Sequence, residues 1–401
     1  MTLQPVEHDQ LTSIVSRFLR IDDITTGKKE FLVRYRGQLY SEDSASAYDQ
    51  LANALRPMEI TPLFRQEGSS HVILLMQGIL RPKESNPAVN VILFLLTLFS
   101  VILAGALYSY NGPVSQDPLQ MFLNIIRNMG SGFPFAASLL GILLAHEFGH
   151  YLAARFHHTK VTLPYFIPFP LSPLGTMGAF INIKEIPKNR RIMLDIGLAG
   201  PLAGLVVAIP VLLLGISLSE VHRLPTALAA TQGLSMEGNS LLYLFAKFLM
   251  KGELLPQPAS YGSIPPLLYW LRYFFTGSPI PWGGKDVMMH PIAWAGWAGL
   301  LVTALNLIPA GQLDGGHLMF VLMGKKARRL VPFILAGLLL LGIFWSGWWF
   351  WAFLIFAFGR FYMEPLDQIT TLDSKRKLMA VVGIIVFLLV FTPVPLLEII
   401  R

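Results

Sequence analysis

Three side chains that could do metal chemistry, His146, Glu147 and His150, lie in the apolar stretch GILLAHEFGHYLAARF, residues 141–156. If this stretch is helical, the two histidines are one turn apart and project from the same face, so their imidazoles can bind one metal ion. Glu147 lies beside them, where its carboxylate can accept a proton from water. Because ionisable side chains are costly inside a lipid bilayer, their presence in such a stretch indicates function.

The H-E-x-x-H spacing of these residues is typical of zinc metalloproteases. A catalytic zinc site has three protein ligands and one open position, so a third ligand must come from elsewhere in the chain. The stretch TALNLIPAGQLDGGHLMF, residues 303–320, contains Asp314, which we predict as that ligand. His317 in the same stretch is the alternative. The predicted cofactor is Zn²⁺.

The composition indicates that these residues lie in a membrane. The chain has 401 residues, of which 53% are hydrophobic and 14% charged, and its mean hydropathy is +0.54. A soluble protein usually carries about a quarter charged residues. The net charge of +7 fits the basic cytoplasmic loops of a membrane protein, so we predict the lipid bilayer as a partner and no nucleic acid. Without cysteine the chain can form no disulfide and no cysteine-ligated zinc site.

The predicted fold class is an α-helical polytopic membrane protein with a small soluble α/β domain. Residues 1–82 form that domain, and 83–401 form the membrane-embedded domain with its core at 133–325. The segment 161–184 is apolar but contains four prolines and two glycines, which favours a re-entrant β-hairpin over a spanning helix. Six to seven spans are predicted, at 88–108, 133–156, 193–217, 291–309, 330–359 (one helix or a tight pair) and 378–397, with an interfacial helix at SLLYLFAKFLM in the loop 218–290.

The N-terminal domain is predicted to contain one helix and three strands. FLVRYRGQLY alternates like a strand, and SEDSASAYDQLANALRP has the serine cap and the apolar spacing of a helix that stops at Pro57. ITPLFRQEG and SHVILLMQGIL predict two further strands. The first 23 residues have acidic residues and no apolar core, so we expect neither a signal peptide nor a transit peptide. We expect a tethered domain without chemistry of its own.

Basic residues near the span ends predict the orientation. They follow the second and fourth predicted spans and precede the last, whereas the loop between the first two spans has Arg127 alone. We therefore expect the N-terminal domain and the metal site toward the cytoplasmic side. His157 and His158 are expected to be solvated, and Asp195 to lie at the interface. The clusters comprise Arg155, Lys160, Lys184, Lys188, Arg190, Arg191, Lys325, Lys326, Arg328, Arg329, Arg360, Lys375, Arg376 and Lys377.

HEFGH in a membrane helix, followed by NLIPAGQLDG at 306–315, resembles the site-2 protease family of intramembrane zinc metalloproteases, peptidase M50. GTMGAFI and DIGLAGPLAG between them are also typical of that family. The N-terminal domain and the run HPIAWAGWAGLLVTALNLIPAGQLDGGH look nearest to its bacterial and plastid EGY-like branch. No PDZ-like segment is predicted in the loops and no CBS pair after the last span, so substrate gating by such modules cannot be carried over. The resemblance implies His146, His150 and Asp314 as zinc ligands and Glu147 as catalytic base.

The implied function is that of a zinc metalloendopeptidase that hydrolyses peptide bonds within or near transmembrane segments of membrane proteins. The expected location is the cytoplasmic membrane of a bacterium. Asn306 is a candidate for holding the substrate or the developing oxyanion. The rival function is that of a zinc-binding membrane protein without proteolytic activity, such as a transporter or an inactive scaffold.

The glycines of two stretches have predicted roles beside the site. GTMGAFIN, with Gly175 and Gly178, fits a strand edge that pairs with an unwound substrate by strand addition, and structural filler under the site is the alternative. In GLAGPLAG, the spacing of Gly200 and Gly204 predicts a close-packing helix face and not a ligand site.

Overall fold

The structure is a computed structural model. The predicted domain boundary between residues 82 and 83 and the predicted cytoplasmic Arg360 lie outside the residues that it describes. Those residues are 5–28, 31–79, 85–113, 115–228, 233–359 and 362–400.

The N-terminal part folds into a four-stranded antiparallel sheet with two helices. The strands lie in the order β1-β2-β4-β3. The predicted helix and three strands are confirmed as α2, β2, β3 and β4, whereas α1 and β1 were not predicted. β1 escapes detection because its pairing with β2 shifts register between Ile21 and Asp23, which interrupts the alternation of apolar residues. The elements are α1 (Pro5–Val15), β1 (Leu19–Lys28), β2 (Phe31–Leu39), α2 (Ser44–Leu55), β3 (Ile60–Glu67) and β4 (Ser70–Gln77).

Three helices of the described residues are long and apolar enough to cross a membrane. They agree closely with the first three predicted spans, because long apolar runs with a helical start signal are the strongest pattern in such a sequence. A proline opens or nearly opens α3 and α5, and the side chain of Asn189 caps α6 by accepting a hydrogen bond from the Ile192 amide. The helices here are α3 (Pro87–Tyr108), the shorter α4 (Pro118–Arg127), α5 (Phe133–Phe156) and α6 (Arg190–Leu218).

The proline-rich segment between α5 and α6 forms the predicted hairpin. Its strands are β5 (Tyr165–Pro168) and β6 (Thr176–Phe180), which pair antiparallel. The turn packs against α3, where the Ser100 hydroxyl donates a hydrogen bond to the Gly175 carbonyl oxygen at 2.6 Å. The irregular backbone is therefore covered by protein, as the apolar surroundings require.

The loop 218–290 carries more structure than predicted. The helix predicted at SLLYLFAKFLM is present as α7, but α8 and three short strands were not predicted. Lys247 of α7 is fully buried, with Nζ 3.8 Å from a Glu237 carboxylate oxygen and 3.7 Å from one of Asp286. Burial and, secondly, the nearby Asp286 carboxylate raise the pKa of Glu237 to about 7. The elements are β7 (Glu220–Arg223), β8 (Gly233–Glu237), α7 (Leu241–Lys251), α8 (Pro266–Thr276) and β9 (Lys285–Met288).

Two predicted spans of the C-terminal half end earlier in the structure. The fourth span ends at Asn306, before the predicted 309. The run 330–359 is a pair of helices, one of the two predicted alternatives, and each helix is about 17 Å long and so shorter than a bilayer core of about 30 Å. The last helix ends at Val390, because Pro393 and Pro395 cannot continue it, and the chain then pairs with β8. The elements are α9 (Pro291–Asn306), α10 (Asp314–Met323), α11 (Val331–Leu341), α12 (Gly347–Phe358), α13 (Ser374–Val390) and β10 (Leu396–Ile400).

A short segment before α13 joins the N-terminal sheet to the start of α6. The Phe64 amide of β3 donates to the Leu366 carbonyl oxygen at 2.9 Å, and the Leu366 amide donates to the Pro187 carbonyl oxygen at 3.1 Å. Asp367 is fully buried, and its carboxylate accepts hydrogen bonds from the Ser44 hydroxyl of α2 and from the Thr370 amide. The N-terminal sheet is thus held against the membrane helices through this segment.

We predict that Asp367→Ala loosens this junction. The substitution leaves the buried Thr370 amide without its carboxylate acceptor, and an orphaned buried donor costs about 1–3 kcal/mol. Amides of β3 and α2 should therefore exchange with deuterium about tenfold faster or more in the detergent-purified full chain.

The matched control for this prediction is Asp49→Ala. Asp49 forms a 2.8 Å ion pair with Lys188 near the same junction, but both side chains are about half exposed. Such a pair contributes little to stability, so exchange should stay close to wild type. Equal exchange in the two variants would show that Asp367 does not hold the junction together.

Candidate metal centre and active site

Three ligand atoms from α5 and α10 form a nearly equilateral triangle. His146 Nε2 and His150 Nε2 lie 3.3 Å apart, and each lies 3.4 Å from Asp314 Oδ2. A tetrahedral zinc ion with bonds of about 2.0–2.1 Å requires its ligands to lie about 3.3–3.4 Å apart. The donor set and its spacing therefore fit Zn²⁺ with one open position.

A backbone carbonyl of α6 orients one of these imidazoles. His150 Nδ1 lies 2.7 Å from the carbonyl oxygen of Ile196. A carbonyl oxygen only accepts, so Nδ1 carries the proton and the Nε2 lone pair is free to face the metal position. The sequence contains no side-chain signal for this contact, because the acceptor is main chain.

The close approach of α6 to α5 depends on glycine. A Cβ atom at Gly200 would lie 2.0 Å from His150 Nε2, and one at Gly204 would lie 3.3 Å from His146 Nδ1. The predicted packing role of the two glycines is confirmed, and their packing partners are the two histidines of the metal centre. Sequence analysis did not connect the two motifs, which lie about 50 residues apart.

The connection between α9 and α10 brings Asp314 to the histidines. Asp314 is the first residue of α10, and a Cβ atom on the following Gly315 would lie 1.9 Å from the Leu307 carbonyl oxygen. Only glycine permits this tight turn. At the end of α9, the Asn306 amide nitrogen lies 3.2 Å from His146 Nε2, so Asn306 is beside the metal centre.

The structure places Glu147 between the metal centre and the hairpin. Its side chain is buried on α5, and its carboxylate accepts a hydrogen bond from the backbone N–H of Ile181, just beyond β6. The carboxylate is therefore held at the cavity wall, where it could receive a proton from a water molecule next to the metal.

The three candidate ligands and Glu147 face a cavity of about 200 Å³. Its polar wall is the metal centre, and its remaining wall is largely apolar. That wall comes from the hairpin, α6 and the segment after α12. The lining residues are His146, Glu147, His150, Ala179, Phe180, Ile181, Ile183, Pro187, Met193, Ile196, Gly197, Asn306, Gln312, Leu313, Asp314, His317 and Met363.

Two of the predicted substrate-binding residues do not line this cavity. Gly175 lies at the hairpin turn, where a Cβ atom would lie 2.6 Å from the Ser100 carbonyl oxygen of α3. Gly178 has a positive φ of 100° and donates its N–H to the Thr176 hydroxyl. The neighbouring residues of β6 and its end, Ala179 to Ile181, line the cavity instead.

Of the two histidines predicted to be solvated, only one is exposed. His158 is exposed, as expected. His157 is not solvated, because its Nε2 lies 2.9 Å from Asp195 Oδ2 and its side chain is 16% exposed. Arg376 of α13 contacts the same carboxylate, so Asp195 joins α5, α6 and α13. His317 is outside the ligand triangle of the described residues.

We predict that Gly200→Ala removes metal binding. The added methyl would lie 2.0 Å from His150 Nε2, and the hydrogen bond from Nδ1 to the Ile196 carbonyl oxygen holds that ring in place. The zinc content of the purified chain, measured by plasma mass spectrometry, should fall from about one ion to well below that. Gly141→Ala is the matched control on α5, because a Cβ there meets no atom within 4 Å. Equal zinc loading in both variants would contradict the close approach.

Comparison with known proteins agrees with this geometry. The sequence profile of peptidase family M50 matches residues 134–344, which include all three ligand residues and Glu147. The chain is 30% identical over 341 residues to the probable zinc metalloprotease EGY1, chloroplastic, of Arabidopsis thaliana, a match that covers 79% of this chain and 56% of that protein.

Two further relatives show the same relationship. The probable zinc metalloprotease EGY2, chloroplastic, of Oryza sativa subsp. indica is 27% identical over 379 residues, 90% of this chain and 62% of that protein. EGY2 of Arabidopsis thaliana is 29% identical over 299 residues, 74% and 48% of the two chains. The chain thus spans about half to three fifths of the length of these relatives. The family profile and the similarity over most of its length show that the chain belongs to peptidase family M50, as the resemblance predicted.

Proposed function

We propose that the chain is an intramembrane zinc metalloprotease that hydrolyses peptide bonds within or near transmembrane segments of membrane proteins. The observation that carries this proposal is the triangle of His146, His150 and Asp314, spaced for zinc, with the Glu147 carboxylate facing the same cavity. The names of the relatives, probable zinc metalloproteases, support it. A metal carrier needs the triangle but has no use for a buried carboxylate that is not a ligand.

Each residue then has a chemical role. When bound by the three ligands, zinc activates a water molecule and polarises the scissile carbonyl. Glu147 accepts the proton of the attacking water and delivers it to the nitrogen of the leaving amine, so that one C–N bond breaks as one C–O bond forms. The Asn306 amide, a donor beside His146, is placed to stabilise the oxyanion that develops on the carbonyl oxygen.

We infer that the substrate binds as an added strand on β6. Backbone N–H groups point to alternate sides along an extended chain. The Ile181 N–H points to Glu147, so that of Ala179 points to the same, catalytic side of the hairpin. Among described strands β6 pairs with β5 alone, which leaves this edge open for an unwound peptide.

The chain is an integral membrane protein, and we propose the finer topology from the charges and the site. Besides α3, α5 and α6, the helices α9, α11, α12 and α13 cross or enter the bilayer. We propose that residues 1–82 form a soluble domain, which docks on the membrane helices through the segment before α13. We propose that the cavity opens toward the side of the N-terminal domain and the basic clusters, and that this side is the cytoplasmic side of a bacterial membrane.

We predict that Glu147→Gln keeps zinc but abolishes hydrolysis. Glutamine nearly matches glutamate in shape, yet it cannot accept a proton at neutral pH, and a general base supplies about 10²–10⁴-fold in rate. Membrane fractions are prepared from cells that produce the wild type or the Glu147→Gln variant. Mass spectrometry then compares the newly cut peptides from transmembrane proteins in the two fractions. The zinc content of each purified protein is measured in parallel.

Asp314→Asn is the matched variant for this test. It changes a ligand, so it should lower both zinc content and cleavage, whereas the Glu147 variant should lower cleavage alone. If Glu147→Gln cleaves at the wild-type rate, the enzyme proposal is wrong. If it also keeps zinc-dependent function that Asp314→Asn loses, the chain is a carrier.

We predict that Ala179→Pro impairs cleavage more than zinc binding. Proline removes the N–H that the added strand would use, and proline is tolerated on strand edges. Gly178→Pro is a poorer test, because the positive φ of Gly178 would strain any proline. Ala179→Val, which keeps the N–H, is the control and should cleave near the wild-type rate. Equal activity of the proline and valine variants would rule out strand addition at this edge.

A further inference from the structure

His317 is a buried imidazole in the catalytic cavity with a nitrogen that lacks a partner. Its side chain lines the cavity, and the residue is only 8% exposed. Within the described part of the chain, Nδ1 finds no hydrogen-bond partner. Buried polar atoms are almost always paired, and the exceptions need an explanation.

The surroundings of His317 leave it available for a ligand. It lies on α10 one helical turn after Asp314, so both side chains share a face of that helix. Across from it is α6, where a Cβ atom on Gly197 would lie 3.3 Å from His317 Cβ. It is not one of the three ligand residues, and neighbouring parts of the wall, Met193 and Leu313, are apolar.

An unwound substrate brings peptide groups that need partners in such a cavity. One edge of the peptide can pair with β6, but the groups on its other edge would be buried without hydrogen bonds. A neutral imidazole has one donor and one acceptor nitrogen, so it can bind either a peptide N–H or a peptide carbonyl. We propose that His317 is a substrate-binding residue, which hydrogen-bonds a backbone peptide group of the bound polypeptide; this rests on the proposed proteolytic function.

The test uses two shape-matched pairs of variants. Asparagine places its amide near the position of imidazole Nδ1 and glutamine places it near Nε2, whereas leucine and methionine have the same shapes without hydrogen bonds. The zinc-loaded full chain in detergent is titrated with a tripeptide hydroxamate, which contacts both metal and cavity wall, and with acetohydroxamate, which contacts the metal alone. Cleavage of dye-labelled casein, an unfolded polypeptide, is measured alongside.

We expect His317→Leu and His317→Met to weaken binding of the tripeptide hydroxamate by about tenfold or more. Both variants should lower kcat/KM for casein cleavage by a similar factor. Asparagine or glutamine should restore most of the loss. Acetohydroxamate affinity and zinc content should not change in any of the four variants.

Three results would overturn the inference. They are wild-type affinity in the leucine and methionine variants, equal losses in all four variants, and loss of zinc, which would mean that His317 acts through the metal centre. A wild-type chain that holds zinc but neither binds the tripeptide hydroxamate nor cuts casein would instead overturn the proteolytic function itself. A wild-type chain with both properties, together with an inactive Glu147→Gln, separates the two failures.

Discussion

The close approach of α5 and α6 is the contact on which the rest of the site depends. Within lipid there is little hydrophobic drive between helices, so small residues that let backbones approach decide which helices pack. Here the ring of His150 fills the space left by Gly200, since a Cβ atom at that position would lie 2.0 Å from its Nε2. The same helix supplies the Ile196 carbonyl that orients that ring. One helix pair therefore fixes both the position and the tautomer of a ligand.

The second constraint is that ionisable groups among apolar helices must satisfy one another. Asp314 contacts both histidines, and the Ile181 amide binds Glu147. Together with the hydrogen bond from His150 to the Ile196 carbonyl oxygen, these contacts join four pieces of chain that are distant in sequence: α5, α6, the hairpin and the turn into α10. The irregular backbone of the hairpin and of that turn is tolerated because protein covers it. The non-helical segments thus supply polar groups to the site, and their own backbone is tolerated because the surrounding protein covers it.

The sequence predicts what depends on local pattern. The bounds of α5 follow from one apolar run, and the candidate ligands His146 and His150 follow from residue type and helical spacing. It does not predict contacts made by main chain, such as the Ile196 carbonyl and the Ile181 amide, because any residue offers those groups. Nor does it predict β1, whose bulge breaks the alternation, or the final strand β10, whose partner β8 lies more than 150 residues away. Sequence pattern thus identifies the candidate ligands, and long-range packing orients their side chains.

Two consecutive backbone hydrogen bonds connect the N-terminal sheet to the wall of the cavity. Phe64 of β3 donates to Leu366, which donates to Pro187, and Pro187 lines the cavity together with Met363 from the same joining segment. The candidate ligands lie on other elements, since His146 and His150 belong to α5 and Asp314 begins α10. The N-terminal sheet therefore reaches the wall of the cavity through Pro187 and the joining segment, on the side built by irregular backbone, and the metal centre itself is built by helices α5 and α10.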